Sequence, residues 1–158
     1  MQISRLARKI SLYQKPLYGV EVTRLKSGPF HAGIVDVRVE RGVLTVVATH
    51  EVITAENMMA DIGLMAQAAR RQSVSLFLYE PRGVQRREVS IASLCAIGRY
   101  MVDVLAGRFA LVSHSLNSTF LTGVVNAYAR QTLRNFEMAN FELLEDAKLW
   151  LRGRSVLA

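Results

Sequence analysis

Two short runs of nearly uninterrupted apolar residues, 74–78 (VSLFL) and 109–112 (FALV), set the tightest limit on what this chain can fold into. A strand with one face in water alternates apolar and polar side chains. A run that is apolar throughout needs cover on both faces, as in a parallel sheet with helices packed against it. The residues around the two runs supply that cover. Ile91, Leu94, Cys95, Gly98, Met101, Val102 and Leu105 recur at helical spacing between them, and Phe120, Leu121, Val124, Val125 and Tyr128 do so after the second. Phe136, Met138 and Phe141 then mark a further strand. Leu144, Ala147, Trp150 and Leu151 face inward from a closing helix that Gly153 stops.

Upstream the period is two. Ile34, Val35, Val37 and Val39 lead into Glu40-Arg41-Gly42, followed by Val43, Leu44, Val46 and Val47, which reads as a hairpin. Thr54 is placed to cap a helix, with Asn57 where a capping-box acid would stand. Ala55, Met58, Met59, Ile62, Met65, Ala66 and Ala69 continue that helix to Arg70. On the middle helix, Gly98 is expected to let the backbone approach the sheet, Cys95 to fill core space, and Gly107 to end the helix. Residues 79–83 are expected as a polar loop, and Asn117 or Ser118 as the cap of the next helix. The order is β-β-α-β-α-β-α-β-α: a mixed, mostly parallel sheet of about five strands with about four helices.

The charge is unevenly spread. Of the net +7, residues 1–30 hold +5, from six basic residues against Glu21 alone, which leaves +2 for residues 31–158. A near-neutral body makes nucleic acid an unlikely partner, because such domains spread cations over a folded face. Ile3, Leu6, Ile10, Tyr13 and Leu17 suggest a basic amphipathic helix ahead of Pro16, one that docks on the domain, on a second subunit or on a membrane surface. Two regions result: a basic N-terminal extension over 1–30 and an α/β domain over 31–158. The single cysteine excludes an internal disulfide, and no apolar run is long enough to span a bilayer. With no apolar signal core at the start, a cytoplasmic location is expected.

These core patterns resemble the STAS-like family, the fold of sulfate-transporter and anti-sigma-factor-antagonist domains, in its small standalone bacterial members. RFALVSH resembles the family's late strand and turn, FELLEDAKLWL its closing strand and helix, and GIVDVRVERGVLTVVATHEVITAENM its opening hairpin and first helix. The resemblance covers about residues 32–152. It implies a non-catalytic regulatory or protein-interaction module with a protein partner, and a homodimer is one form that partner takes. The contact surface it implies lies on the loop and helix start at 80–93, with Glu80, Arg82, Arg86, Arg87, Ser90 and Ser93. The family's phosphorylated serine sits in an Asp-Ser-Ser-Gly-like motif, which EPRGVQRREVSIASL lacks. Ser90 is therefore expected as a helix cap first, although a phosphate there would be favoured by the helix dipole.

Other chemistry rests on the strand ends, where open α/β sheets bind ligands. His50, Glu80, Arg82, His114 and Ser115 are candidates to converge on a crevice there, and two histidines with a carboxylate are the raw material of a zinc or acid–base site. Neither a GxGxxG nor a GxxxxGK[ST] loop occurs, and HExxH, CxxC and GxSxG are equally absent, so no enzyme activity, cofactor or metal is expected. The alternative function is a small-molecule or lipid-binding domain with a helix-lined apolar groove, for which Met58, Met59, Met65 and Met101 are the candidate lining.

Overall fold

Arg41 and Gly42 both take positive φ, 51° and 77°, and close a two-residue turn whose twist matches that of paired strands. The hairpin expected from the sequence forms on either side of it, β3 (Ile34–Glu40) against β4 (Val43–Ala48). The computed structural model describes residues 16–17, 20–26, 34–113 and 115–153. In chain order these form β1 (Pro16–Leu17), β2 (Val20–Lys26), β3, β4, β5 (Val52–Thr54), α1 (Ala55–Gln72), β6 (Leu76–Pro81) and β7 (Arg86–Glu88). There follow α2 (Ile91–Val104), β8 (Gly107–Val112), α3 (Leu116–Gln131), β9 (Phe136–Phe141) and α4 (Leu144–Leu151).

Seven strands make one sheet in the order β1-β2-β3-β4-β6-β8-β9, and β5 and β7 form a separate parallel pair. From β3 onward the sheet is mixed and mostly parallel: β3 and β4 are antiparallel, while β4, β6, β8 and β9 run parallel. β2 pairs antiparallel with β3, Glu21 opposite Val39 and Lys26 opposite Ile34, so part of the basic segment joins the sheet. The amphipathic helix expected over 3–17 lies outside the described residues, apart from Pro16 and Leu17 in β1, where a proline at a strand edge is tolerated. No helix among the described residues is long and apolar enough to cross a membrane.

Each new parallel strand is added on the same side of the last. Because strand–helix–strand crossovers are right-handed, α1, α2 and α3 must then all lie on one face. Leu44, Val46, Phe77, Phe109 and Met138 point to that face and pack with Ile62, Met65, Leu94, Met101 and Val125 of the helices. The alternate residues Leu78 and Ala110 point the other way, where among the described residues α4 covers them through Ala147 and Leu151. There Arg108 lies over the Trp150 ring at 4.0 Å, and Phe141 packs against the same ring.

Several local expectations are corrected. The strand expected at 74–78 starts at Leu76, because Ser73 caps α1 in the left-handed conformation and Val74 N–H still bonds Ala69 O. It then continues through Tyr79, Glu80 and Pro81, which were expected as loop, because Tyr79 is buried. Gly98 admits a helix rather than the sheet: a Cβ there would stand 3.0 Å from Val124 and 3.3 Å from Val125 of α3. Gly107 does not end α2, which Leu105 caps; it opens β8 at φ +111°, pressed against Ser75. Ser115, not Asn117 or Ser118, caps α3, and Phe120 is half in solvent rather than inward. Thr54 and Asn57 do form the reciprocal capping box at α1.

One side chain closes a sheet edge. Asn126 of α3 donates to Met138 O at 2.8 Å and accepts from Met138 N–H at 2.9 Å, occupying the outer hydrogen-bonding groups of β9 at that point.

Two glycines give opposite expectations. A Cβ at Gly107 would fall 1.9 Å from the Ser75 carbonyl oxygen, at a φ that disfavours side chains, whereas Gly123 is an exposed helical position with nothing within 4 Å. Gly107→Ala should lose more than about 2 kcal/mol in urea denaturation, and Gly123→Ala should gain about 0.5–1 kcal/mol.

Candidate functional site

A carboxylate at the centre of an apolar helix face is costly unless it is partnered. Asp61 lies on the α1 face that carries Met58, Ile62 and Met65, and it is 2% exposed. Two partners reach its Oδ2: Tyr79 donates its hydroxyl at 2.6 Å, and His50 Nε2 lies at 2.9 Å. Asp61 comes from α1, Tyr79 from β6 and His50 from the turn after β4, so three parts of the fold are tied at one buried point. An ionised carboxylate only accepts, which places the His50 Nε2 proton in the bond. Burial, and then the Asp61 charge beside it, pushes the Tyr79 hydroxyl well above its ordinary value near 10. The phenol therefore stays protonated and remains a donor.

A histidine held by a carboxylate is half of an acid–base relay. Here His50 is 3% exposed, and no substrate reaches it without moving α1 or the loop beyond β4. Chemically the group is a polar clamp. Among the described residues no group of three or more His, Cys, Asp or Glu could hold a metal ion.

The opening on this side of the sheet lies next to the clamp. Tyr79, whose hydroxyl belongs to the clamp, also lines a crevice of about 40 Å³ at the carboxyl ends of β6 and β8. Ile53 and Arg87, from the β5–β7 pair and its edge, wall one side. Ser115 and Asn117, at the start of α3, wall the other. The small β5–β7 sheet is held in place by Glu51 O, which accepts from Gln85 N–H and Arg86 N–H, and by Ala48 O, which accepts from Arg82 N–H. An inner pocket of about 20 Å³ adjoins the crevice and shares Met58, Tyr79, Leu111 and Leu121 with it; Ile62, Met101, Phe109 and Met138 complete its wall. The three serines at the mouth are bonded to one another: Ser118 donates to Ser113 at 2.7 Å and lies 2.7 Å from Ser115.

The residues singled out from the sequence do not gather at one point. His50 and Glu80 face opposite sides of the sheet: Tyr79 points into the three-helix layer, so Glu80, next along β6, points away. Glu80 instead accepts two bonds from Arg82, at 3.1 and 3.0 Å, an exposed pairing. Arg86 pairs with Glu88 at 2.8 Å on the surface. Ser90 caps α2, accepting from Ser93 N–H at 3.1 Å and donating to the Ser93 hydroxyl. His114 lies outside the described residues. Arg87, Ser115 and Met58 do reach the crevice and Met101 the inner pocket; Met59 and Met65 line neither.

No protein-family model, curated protein or solved structure matches this chain. The reading of the site therefore rests on its own residues. Asp61 and Tyr79, central to it, were not among the sequence candidates. An acid in the middle of an apolar helical stripe was the available signal for Asp61, because a charge is seldom buried without a partner.

Tyr79→Phe removes one charge-assisted bond and should cost about 1.5–3 kcal/mol at neutral pH in urea denaturation. The folded-state value of the phenol is raised, so its stabilisation is present below about pH 10 and is lost as pH climbs beyond that. The gap between wild type and Tyr79→Phe should accordingly narrow when the same measurement is made above pH 10.

Proposed function

We propose that this protein is a non-catalytic, STAS-like regulatory module that works in the cytoplasm by docking a protein partner on the surface of residues 80–93 and the first turn of α2. The observation that carries this reading is Ile91. It is the first residue of α2 and is 68% exposed, although its spacing matches the buried stripe of that helix. The rest of the stripe, Leu94, Ile97, Met101 and Val102, packs into the core and leaves Ile91 at the rim. Arg86 and Arg87 lie four and five residues before it on β7, both exposed, and among the described residues Arg86 is matched by the Glu88 carboxylate and Arg87 by none. An apolar residue flanked by arginine suits a partner that presents an apolar side chain within an acidic surface. The order of strands and helices from β3 to α4 is compatible with the family resemblance, with the β5–β7 pair as an addition.

Ser90 and Ser93 serve this surface first as structure, since their hydroxyls cap α2. The clamp of His50, Asp61 and Tyr79 serves it as foundation, because the β5–β7 pair that supports Arg86 and Arg87 rests on the chain just past His50.

Ile91→Asp tests the reading. The side chain is outside the core, and an acid in the first turn of a helix suits its dipole, so the thermal midpoint should stay within a few degrees of wild type. A partner recovered from the native cells and purified should bind the variant at least about tenfold more weakly, a loss of about 1.4 kcal/mol. Unchanged affinity would move the contact away from α2. Turnover of a metabolite by the pure protein would replace a regulatory module with an enzyme.

A further inference from the structure

We infer that the crevice and its inner pocket form a binding site for a short, unbranched aliphatic carboxylate, with its chain among the methionines and its head at Arg87. The site has two distinct ends. The inner end is wholly apolar apart from the Tyr79 hydroxyl, which already points at Asp61, and it is walled by Met58, Met101, Met138 and Leu121. The outer end carries Arg87, Asn117 and Ser115. Arg87 forms no ion pair among the described residues, unlike its neighbours Arg82 and Arg86 in the same loop. The Asn117 side chain likewise makes no hydrogen bond among the described residues.

Volume limits the size of the ligand, and the two ends of the site set its chemistry. The crevice holds about 40 Å³ and the inner pocket about 20 Å³, well under the roughly 150 Å³ in which a benzene ring is accommodated. Nucleotides and flavins are therefore too bulky. A single alkyl chain enters the inner pocket only by moving side chains, and three of the eight that wall it are methionines, whose unbranched thioethers shift rotamer easily. A neutral alkane would leave the polar mouth unused. A carboxylate places two acceptor oxygens where an arginine donates as a fork, and that pairing gives direction to an otherwise featureless pocket. An alkyl ammonium would be repelled by Arg87. The ligand site and the docking surface share Arg87 but not Ile91, so the two readings can fail separately.

The experiment uses the full chain with methyl-labelled methionine, titrated with hexanoate and with hexan-1-ol and followed by NMR. Hexanoate should shift the methyls of Met58, Met101 and Met138 to saturation while those of Met59 and Met65 stay in place. Hexan-1-ol should bind about tenfold more weakly or worse, since it keeps the chain and lacks the charge. Arg87→Gln, an exposed substitution that leaves the core intact, should bring hexanoate down to the level of the alcohol, whereas Ile91→Asp should leave its binding unchanged. Three results would overturn the inference: no saturable shift at Met58, Met101 or Met138, equal binding of acid and alcohol to the wild type, or undiminished hexanoate binding by Arg87→Gln.

Discussion

The handedness of the crossovers governs this molecule. Three times in succession the chain leaves a strand, forms a helix and returns parallel, and each time the new strand is added on the same side. Right-handed connections then allow only one arrangement, with α1, α2 and α3 stacked over a single face. The other face receives the last helix, and among the described residues α4 covers β6, β8 and β9 there. The strand order never reverses within the parallel block, so the sheet lacks the crevice that opens at a reversal point in doubly wound folds. The opening lies instead between the sheet and the helix starts, with the β5–β7 pair as its outer wall. Its small volume follows from that geometry.

Beneath the opening, the clamp of His50, Asp61 and Tyr79 sets the polar side of the balance. Burying Asp61 costs more than any one neutral hydrogen bond returns, so the group is tolerable only with both partners present. It joins the exit of β4, the body of α1 and the end of β6 at a single carboxylate oxygen. The same tyrosine ring that anchors the clamp forms the wall of the crevice. Any displacement of that ring by a ligand would therefore be felt at Asp61 and, through it, at α1.

Much of the fold was legible in the sequence, because patterns of burial are local. The hairpin, the four helices and the parallel strands could be read from periods of two and 3.6, and Thr54 with Asn57 from cap spacing alone. What escaped had no periodic signature. β5 and β7 are three residues each, and β7 is Arg-Arg-Glu, exposed throughout; they exist because backbone groups of residues 48 and 51 hold them together. Gly107 looked like a helix stop, since sequence cannot show that Ser75 presses against it. The cap of α3 was misplaced because Ser115, Asn117 and Ser118 all qualify by type and only the backbone turn chooses between them. The site was the least legible part: its walls come from residues between 53 and 138, and only folding brings Arg87, Ser115 and Met138 into one neighbourhood.

Asn126 bears on how this chain can associate. By giving Met138 both a donor and an acceptor, its amide stands in for the next strand and leaves a foreign β-segment nothing to zip onto at that position. At that margin a helix side chain takes the place of a neighbouring strand, and β9 offers an added segment fewer backbone groups than an open edge would.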